Sequence, residues 1–208
     1  GDIAPLRGIV EAKDRRGAWL LVDEAHATGI FGPGGAGLAR ELGIGDRVDI
    51  QMATLSKALG ASGGFIAGSR KLVDLLINRA RSFLSSTGPT PADAAAARAA
   101  IEISASAEGD ARRTALWANV NDLASQLDGL WPESPKGESP ILPLIVGPEG
   151  RALALAAALH ERGIRVPAIR FPTVARGKAR LRISLSATHT PNHLAALVEA
   201  LRLARIPQ

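Results

Sequence analysis

Apolar runs and amphipathic segments alternate along the first half of the chain. The continuous apolar run at residues 18–23 ends in an acid and predicts a fully buried parallel strand. Further strands are predicted at 48–54 and 64–68, and helices at 3–16, 70–82 and 92–107. This alternation indicates an α/β domain with a mostly parallel sheet.

The pattern changes after residue 107. A helix to about residue 130 is followed by a Pro-, Ser- and Gly-rich loop at 131–140. Strands are then predicted at 141–146, 166–169 and 180–185, and helices at 151–162 and 190–204. This order indicates a smaller α+β domain. We therefore expect two domains, residues 1–107 and residues 108–208.

Composition narrows the possible functions. With 208 residues and a hydrophobic share of 46%, the chain can fill a core, which excludes disorder as a description of the whole. The absence of cysteine excludes a thiol nucleophile and every Cys-ligated metal site, and we predict no metal site from the histidines. The apolar runs are too short to cross a membrane, and no secretion leader opens the chain, so a cytoplasmic location is expected.

The net charge of +5 invites a nucleic-acid interpretation. The basic residues are scattered, however, with no run of five or more, and aromatic residues make up only 3%. Such a chain offers no stacking platform for bases, so no nucleic-acid partner is expected. Most of the arginines are expected on solvated faces, and a few could pair with carboxylates or phosphates of a substrate.

A carboxylate ends the first predicted strand, in the string Asp23-Glu24-Ala25-His26. Helicases use this string to hold magnesium, but they also need a G-x-x-x-x-G-K-[ST] phosphate loop, and these 208 residues contain none. The carboxyl end of a buried parallel strand is where α/β folds bind ligands. A binding role for Asp23 is therefore favoured over a plain polar loop.

The string from Gly32 to Gly37 matches G-x-G-x-x-G. A dinucleotide site requires this motif to follow a strand directly, whereas eight residues separate it from Asp23 and Pro33 interrupts it. We predict instead a glycine-rich turn that lets the backbone approach a neighbouring segment.

The most informative feature is Lys57, in Thr-Leu-Ser-Lys-Ala-Leu-Gly, just after the second predicted strand. The hydroxyls of Thr54 and Ser56 can contact a phosphate, and a lysine in such a setting can lose its proton and form a Schiff base. Asp23 and Lys57 lie 34 residues apart, on neighbouring strand ends. This combination favours a shared functional site over a plain surface lysine.

The strings Val-Asp-Glu-Ala-His-Ala-Thr-Gly and Thr-Leu-Ser-Lys-Ala-Leu-Gly resemble the α-oxoamine synthases, fold-type I enzymes that depend on pyridoxal 5′-phosphate (PLP). The resemblance continues through residues 82–92 and 141–189. It implies part of a PLP-binding large domain followed by the small C-terminal domain. Members of the family carry an N-terminal half that these residues lack, so this chain alone is expected to be poorly active.

The resemblance also implies roles for individual residues around the cofactor. Lys57 would hold PLP covalently and act as the acid and base at the substrate Cα. Asp23 would pair with the pyridinium nitrogen, and His26 would hydrogen-bond the phenolic oxygen of the ring. Thr54 would bind the cofactor phosphate, and Thr87 would reach a phosphate in the neighbouring subunit of a homodimer.

Substrate roles follow from the same resemblance. Arg182 would clamp the carboxylate of the amino acid, while Arg170 and Thr173 would hold the far end of the acyl chain. The implied reaction condenses L-alanine with a pimeloyl thioester carried by CoA or by a carrier protein. Three alternatives stay open: a family member that uses glycine or serine with another acyl-CoA, a non-catalytic remnant that binds a partner subunit, and a plain surface charge at Arg170 and at Arg180.

Overall fold

The computed structural model describes residues 1–131, 133 and 135–204. Pro132 and Ser134 of the predicted 131–140 loop lie outside the described residues, as do residues 205–208 of the second predicted domain. The chain divides into two compact units, Ala4–Ala111 and the residues from Arg112 onward together with Gly1–Ile3. Every helix among the described residues is too short or too polar to serve as a transmembrane span.

The unit Ala4–Ala111 holds a three-stranded sheet and most of the shorter helices. Its elements are α1 (Leu6–Arg16), β1 (Leu21–Asp23), α2 (Leu38–Glu41), β2 (Ile50–Thr54), β3 (Gly64–Gly68), α3 (Arg70–Arg79), α4 (Arg81–Leu84) and α5 (Pro91–Ser104). The strand order is β1-β2-β3, with β1 parallel and β3 antiparallel to β2. Because β1 and β2 run the same way, their carboxyl ends lie at one edge of the sheet.

Only one face of β1 is covered, which corrects the prediction of a fully buried strand at 18–23. Only Leu21–Asp23 forms a strand, and Leu20 and Val22 pack against a core cluster that includes Val10 of α1. Leu21 points the other way and is 54% exposed. The reason is that successive strand residues face opposite sides of a sheet, so an apolar run is fully buried only where both sides are covered.

The helix predicted at 70–82 is interrupted. The Ser69 side chain accepts a hydrogen bond from the Leu72 N–H and caps α3, while an extended Ala80 separates α3 from α4. Of the apolar positions on α3, Leu72 is buried whereas Leu75 is 57% exposed.

An ion-pair network joins the end of α1 to the segments around residues 47–49. Lys13 Nζ lies 3.2 Å from a carboxylate oxygen of Asp14 and 3.2 Å from one of Asp49, and Arg47 also pairs with Asp14. Hydrogen bonding to Arg47, and then to Lys13, lowers the pKa of Asp14. The backbone N–H of Leu20, followed by Lys13, lowers the pKa of Asp49. Hydrogen bonding to Asp14 is the main cause that raises the pKa of Lys13.

The second unit contains an antiparallel sheet of order β4-β6-β5. Its elements are β4 (Ile141–Gly147), α7 (Glu149–Glu161), β5 (Ala168–Ile169), β6 (Ala179–Ser184) and α8 (Pro191–Leu203), and α6 (Ala107–Leu127) begins before the boundary at Arg112 and ends within this unit. Strand β5 is shorter than the predicted 166–169 and begins only after Pro167, which has no N–H to donate to a ladder.

Buried and partly buried residues alternate along β4 and β6 of this second sheet. Leu142, Leu144, Leu181 and Ile183 are buried on one face, where α7 packs. The other face carries the partly buried residues of β4, β5 and β6, including Pro143, Ile145, Ile169, Arg180 and Arg182. One face of this sheet therefore belongs to the core, and the other presents two arginines beside apolar side chains.

Candidate active site

Asp23 and Lys57 lie near the same edge of the first sheet. Asp23 is the last residue of β1 and pairs in register with Met52 of β2. Lys57 follows β2 by three residues, after the strand ends at Thr54. The carboxyl edge of a parallel pair is the ligand-binding position in α/β sheets. The structure therefore brings the predicted carboxylate and the predicted lysine segment to the same edge of the sheet.

The side chains at the end of β1 are accessible. Asp23 is exposed, and its Oδ1 accepts a hydrogen bond of 2.8 Å from the Ala25 N–H, which orients the carboxylate. His26 is also exposed, in the turn that follows.

Two hydroxyls stand at the end of β2. Thr54 Oγ1 lies 2.8 Å from Ser56 Oγ and 3.1 Å from the Gly63 carbonyl oxygen, and it accepts the Ser56 N–H at 3.2 Å. Thr54 thus already has three protein contacts, whereas Ser56 Oγ has one. Of the two hydroxyls named from the sequence as possible phosphate contacts, Ser56 has more hydrogen-bonding capacity left for an anion.

Lys57 itself is exposed, and among the described residues its Nζ has no ion-pair or hydrogen-bond partner. No carboxylate or hydrogen-bond acceptor among the described residues therefore fixes the position of this amine.

The loop after β1 packs closely against the lysine loop. Gly29 has φ 82°, and a Cβ placed there would lie 2.8 Å from the Ala58 Cβ, next to Lys57. Only glycine fits both the positive φ and this close approach. The glycine-rich string after it forms a turn with positive φ at Gly32, Gly34, Gly35 and Gly37, so the prediction of a turn with close backbone approach is confirmed.

Sequence analysis missed the role of Glu24. This carboxylate is 5% exposed, and its two oxygens accept hydrogen bonds from the backbone N–H groups of Leu38 (2.7 Å) and Ala39 (2.9 Å). It holds the start of α2, and a Cβ on Gly37 would collide with it. The detectable signal was an acid directly after Asp23, followed at a distance by a glycine that leaves room for it.

The remaining predicted residues lie outside this cluster. Thr87 is exposed in the segment before α5. Arg170, directly after β5, uses its carbonyl oxygen to accept the Thr173 N–H at 3.0 Å, and both side chains are exposed. Arg182 lies in β6 and is partly buried. Arg170, Thr173 and Arg182 belong to the unit from Arg112 onward. Asp23, Lys57 and Thr87 belong to Ala4–Ala111.

A sheet with a carboxylate and a lysine segment at its carboxyl edge, followed by a smaller α+β unit, has the fold of the fold-type I PLP-dependent transferases. The family model for aminotransferase class I and II matches residues 1–201, and the chain belongs to this family.

Relatives of known name refine the assignment. The chain is 53% identical over 205 residues to an 8-amino-7-oxononanoate synthase of Anaeromyxobacter dehalogenans, covering 97% of this chain and 51% of that protein. It is 43% identical to the enzyme of the same name from Ralstonia pickettii, covering 98% and 50%. The resemblance to α-oxoamine synthases is confirmed. The chain spans about half the length of the relatives it matches.

Solved structures show the same fold. A serine palmitoyltransferase structure with a PLP internal aldimine has a TM-score of 0.92 at 29% identity, over 98% of this chain and 51% of that one. The serine palmitoyltransferase of Sphingomonas wittichii gives 0.91 at 31%, with the same coverage. An 8-amino-7-oxononanoate synthase from Francisella tularensis gives 0.79 at 26%, over 92% and 57%.

Proposed function

We propose that this chain forms the lysine-bearing part of an 8-amino-7-oxononanoate synthase, an enzyme of biotin synthesis that condenses L-alanine with a pimeloyl thioester and releases CO2 and the free thiol. The observation that carries the proposal is the placement of Asp23 and Lys57 at the carboxyl edge of β1 and β2. The identity of 53% to a protein of that name supports it.

The residues at this edge fit PLP, which presents an aldehyde, a pyridine nitrogen and a phosphate. The uncommitted Lys57 Nζ suits the aldehyde, and the exposed Asp23 carboxylate suits a protonated pyridine nitrogen. The hydroxyl pair of Thr54 and Ser56 suits the phosphate. When bound, PLP supplies an electron sink for negative charge that develops at the substrate Cα.

The chain's own residues then have defined tasks. Lys57 would hold the cofactor and would move the proton at the alanine Cα. Asp23 keeps the ring nitrogen protonated by its negative charge, because an adjacent opposite charge favours the protonated form. His26 hydrogen-bonds the phenolic oxygen, and Thr87 binds a phosphate of the neighbouring subunit in a cytoplasmic homodimer.

Substrate recognition is assigned to the second unit. Arg182 binds the alanine carboxylate through paired N–H donors, a geometry that suits planar carboxylates. Arg170 and Thr173 bind the far carboxylate of the pimeloyl chain. The chain thus supplies a cation for each of the two carboxylates that the substrates present.

Trapping the cofactor on Lys57 tests the proposal. The 208-residue chain is incubated with PLP, reduced with borohydride and mapped by mass spectrometry. We expect an absorbance band near the visible edge and an adduct on Lys57 that Lys57→Ala removes. Lys71→Ala, at another exposed lysine of the same unit, should keep it. Labelling of both lysines to the same extent, or of neither, would favour a non-catalytic remnant.

A second candidate is an α-oxoamine synthase with another amino-acid substrate, favoured by the TM-score of 0.92 to a serine palmitoyltransferase. Steady-state assays of a full-length form with alanine, glycine and serine, each with a pimeloyl thioester and a long-chain acyl-CoA, separate the two. Turnover only with serine or glycine would support this second candidate and contradict the first.

A further inference from the structure

Glu24 is the one buried side chain that is polar or charged among the residues that the structure describes. The proposed function gives it no task, although it lies between Asp23 and His26, the two residues assigned to the cofactor ring. Burial of a carboxylate is unfavourable unless hydrogen bonds compensate for the lost water. The hydrogen bonds of Glu24 therefore indicate what its burial achieves.

The Glu24 side chain points to the core side of the first sheet. Its backbone N–H donates to the Met52 carbonyl oxygen at 2.7 Å, so the pairing of β1 with β2 extends one residue beyond the strand. Val22, two residues earlier, packs against the core cluster that contains Ala39. Because residues two apart in an extended segment share a face, Glu24 reaches the same side, where its oxygens accept the N–H groups of Leu38 and Ala39.

The same alternation directs Asp23 to the open side. Asp23 lies between Val22 and Glu24 and therefore shares its face with Leu21, which is 54% exposed. The Asp23 carboxylate is exposed and accepts only the nearby Ala25 N–H among the hydrogen bonds described. Rotation of this strand end would move Asp23 away from the open side, and the anchored Glu24 side chain prevents that rotation.

The backbone of Glu24 also forms the turn that carries His26. The Glu24 carbonyl oxygen accepts the Ala27 N–H at 2.9 Å and the Thr28 N–H at 2.8 Å, and His26 lies within this turn. Glu24 thus makes five hydrogen bonds, through its N–H, its carbonyl oxygen and both carboxylate oxygens. They connect the end of β1 to β2, to the start of α2 and to the turn.

We propose that Glu24 is a positioning residue that directs the Asp23 carboxylate toward the ring nitrogen of PLP. The inference rests on the proposed function, which assigns Asp23 to that nitrogen. Glu24 makes no contact with the cofactor, because its oxygens bind Leu38 and Ala39 on the core side. Its loss weakens cofactor binding through Asp23, whereas Lys57, which follows β2, still reacts at saturating PLP.

The test titrates the 208-residue chain with PLP and follows the absorbance band, which gives an apparent Kd and a final amplitude. Glu24→Ala should raise the apparent Kd about tenfold, and borohydride should still trap the Lys57 adduct at saturating PLP. Glu24→Gln keeps one acceptor oxygen and should raise the apparent Kd less than Glu24→Ala does. Glu41→Ala is the matched control, because Glu41 accepts the Gly32 N–H in the same loop but at the surface. It should change the apparent Kd by less than about twofold.

A general loss of stability is distinguished by the amplitude. Unfolding removes binding sites and lowers the final absorbance, whereas a misdirected Asp23 lowers the affinity of chains that remain folded. Leu123→Ala removes a completely buried side chain from α6 and should lower the midpoint of thermal unfolding. Under conditions in which this variant remains folded, its apparent Kd should stay within about twofold of that of the unaltered chain.

A double-mutant cycle tests whether Glu24 acts through Asp23. In an Asp23→Asn background, Glu24→Ala should raise the apparent Kd by less than about threefold, because the group that it directs has already lost its charge. Equal increases in the two backgrounds, an unchanged Kd with reduced amplitude, or equal effects of Glu24→Ala and Glu41→Ala would overturn the positioning role. Failure of the unaltered chain to bind PLP or to form the Lys57 adduct would instead contradict the proposed function, and the positioning role with it.

Discussion

The two compact units bury their apolar side chains to different degrees. Leucines at 123, 127, 142, 144, 159, 181 and 201 are almost completely buried in the unit from Arg112 onward. In Ala4–Ala111, Val10 is the one large side chain described as buried to that degree, while Trp19 is 74% and Phe83 65% exposed. Yet Ala4–Ala111, the unit with fewer completely buried side chains, carries Asp23 and Lys57.

The contrast shows that the site and the largest core occupy different parts of the molecule. Around Lys57, local geometry rests on directed contacts: the hydroxyl pair at the end of β2, the Glu24 carboxylate under α2, and the contact between Gly29 and Ala58. Such contacts specify position well but contribute less free energy than a filled core. Four experiments test this contrast, and the first addresses the core.

Leu181→Ala should lower the free energy of unfolding by about 2–5 kcal/mol, because it removes a completely buried side chain and leaves a cavity. Leu75→Ala, the same change at a side chain that is 57% exposed, should cost no more than about 0.5 kcal/mol. Urea unfolding measures both. Equal losses in the free energy of unfolding would contradict the expectation that the buried Leu181 contributes more to stability than the exposed Leu75.

Glu24→Ala should cost about 2 kcal/mol or more, because two backbone N–H groups lose their buried acceptor. Glu24→Gln keeps one acceptor oxygen and should cost less. Amide hydrogen exchange at Leu38 and Ala39 should accelerate in both variants. Glu41→Ala is the control, since Glu41 accepts the Gly32 N–H at the surface, and its smaller loss should stay at about 1 kcal/mol or below. Unchanged exchange at Leu38 would contradict the role of Glu24.

Gly29→Ala and Gly43→Ala both place a side chain at positive φ, 82° and 67°, and should share a strain of about 1–2 kcal/mol. Gly29→Ala alone adds a collision with Ala58, whereas a Cβ at Gly43 meets nothing within 4 Å. We expect only Gly29→Ala to reduce the yield of the Lys57 adduct with PLP, and the added change Ala58→Gly to restore it. Equal adduct yields for the two alanine variants would show that the close contact between Gly29 and Ala58 does not affect the reaction of Lys57 with PLP.

Acidification should produce the smallest effect, through the ion-pair network of Lys13, Asp14, Arg47 and Asp49. The folded chain holds the pKa of both aspartates below the ordinary value of 3.8. Their contribution to stability is therefore present above pH 3.8 and is lost as the pH falls through the lowered values. Lys13, with a pKa raised above 10.5, contributes below that pH and loses its contribution above it.

Thermal unfolding followed across the acid range measures this contribution. The double variant D14N/D49N should show a flatter acid limb than the unaltered chain, because neither side chain then titrates. Identical acid limbs would assign the acid sensitivity to other carboxylates.

The placement of Asp23 and Lys57 in the candidate site was predictable because both residues follow local rules. Strand β3 was predicted with its observed bounds, and the parallel pairing of β1 with β2 brings Asp23 and the Lys57 segment to one edge, as the spacing indicated. An acid or a lysine at a strand end is visible in the sequence, and the topology of an α/β unit supplies the rest.

Other features depend on distant residues and were not predictable. The exposure of Leu21 depends on which layers cover the sheet, which periodicity in one segment does not reveal. Glu24 acts on N–H groups that lie 14 and 15 residues further along. The break at Ala80 has no sequence signal, since alanine favours a continuing helix.

The position of α6 has a practical consequence for producing the two halves of the molecule separately. The boundary at Arg112 falls inside this helix, and its buried residues Leu116, Val120, Leu123 and Leu127 all follow that point. A gene divided at residue 111 would truncate the helix in both products. Division before Ala107, close to the domain boundary predicted at 107 and 108, would leave the helix and its apolar stripe intact in the C-terminal product.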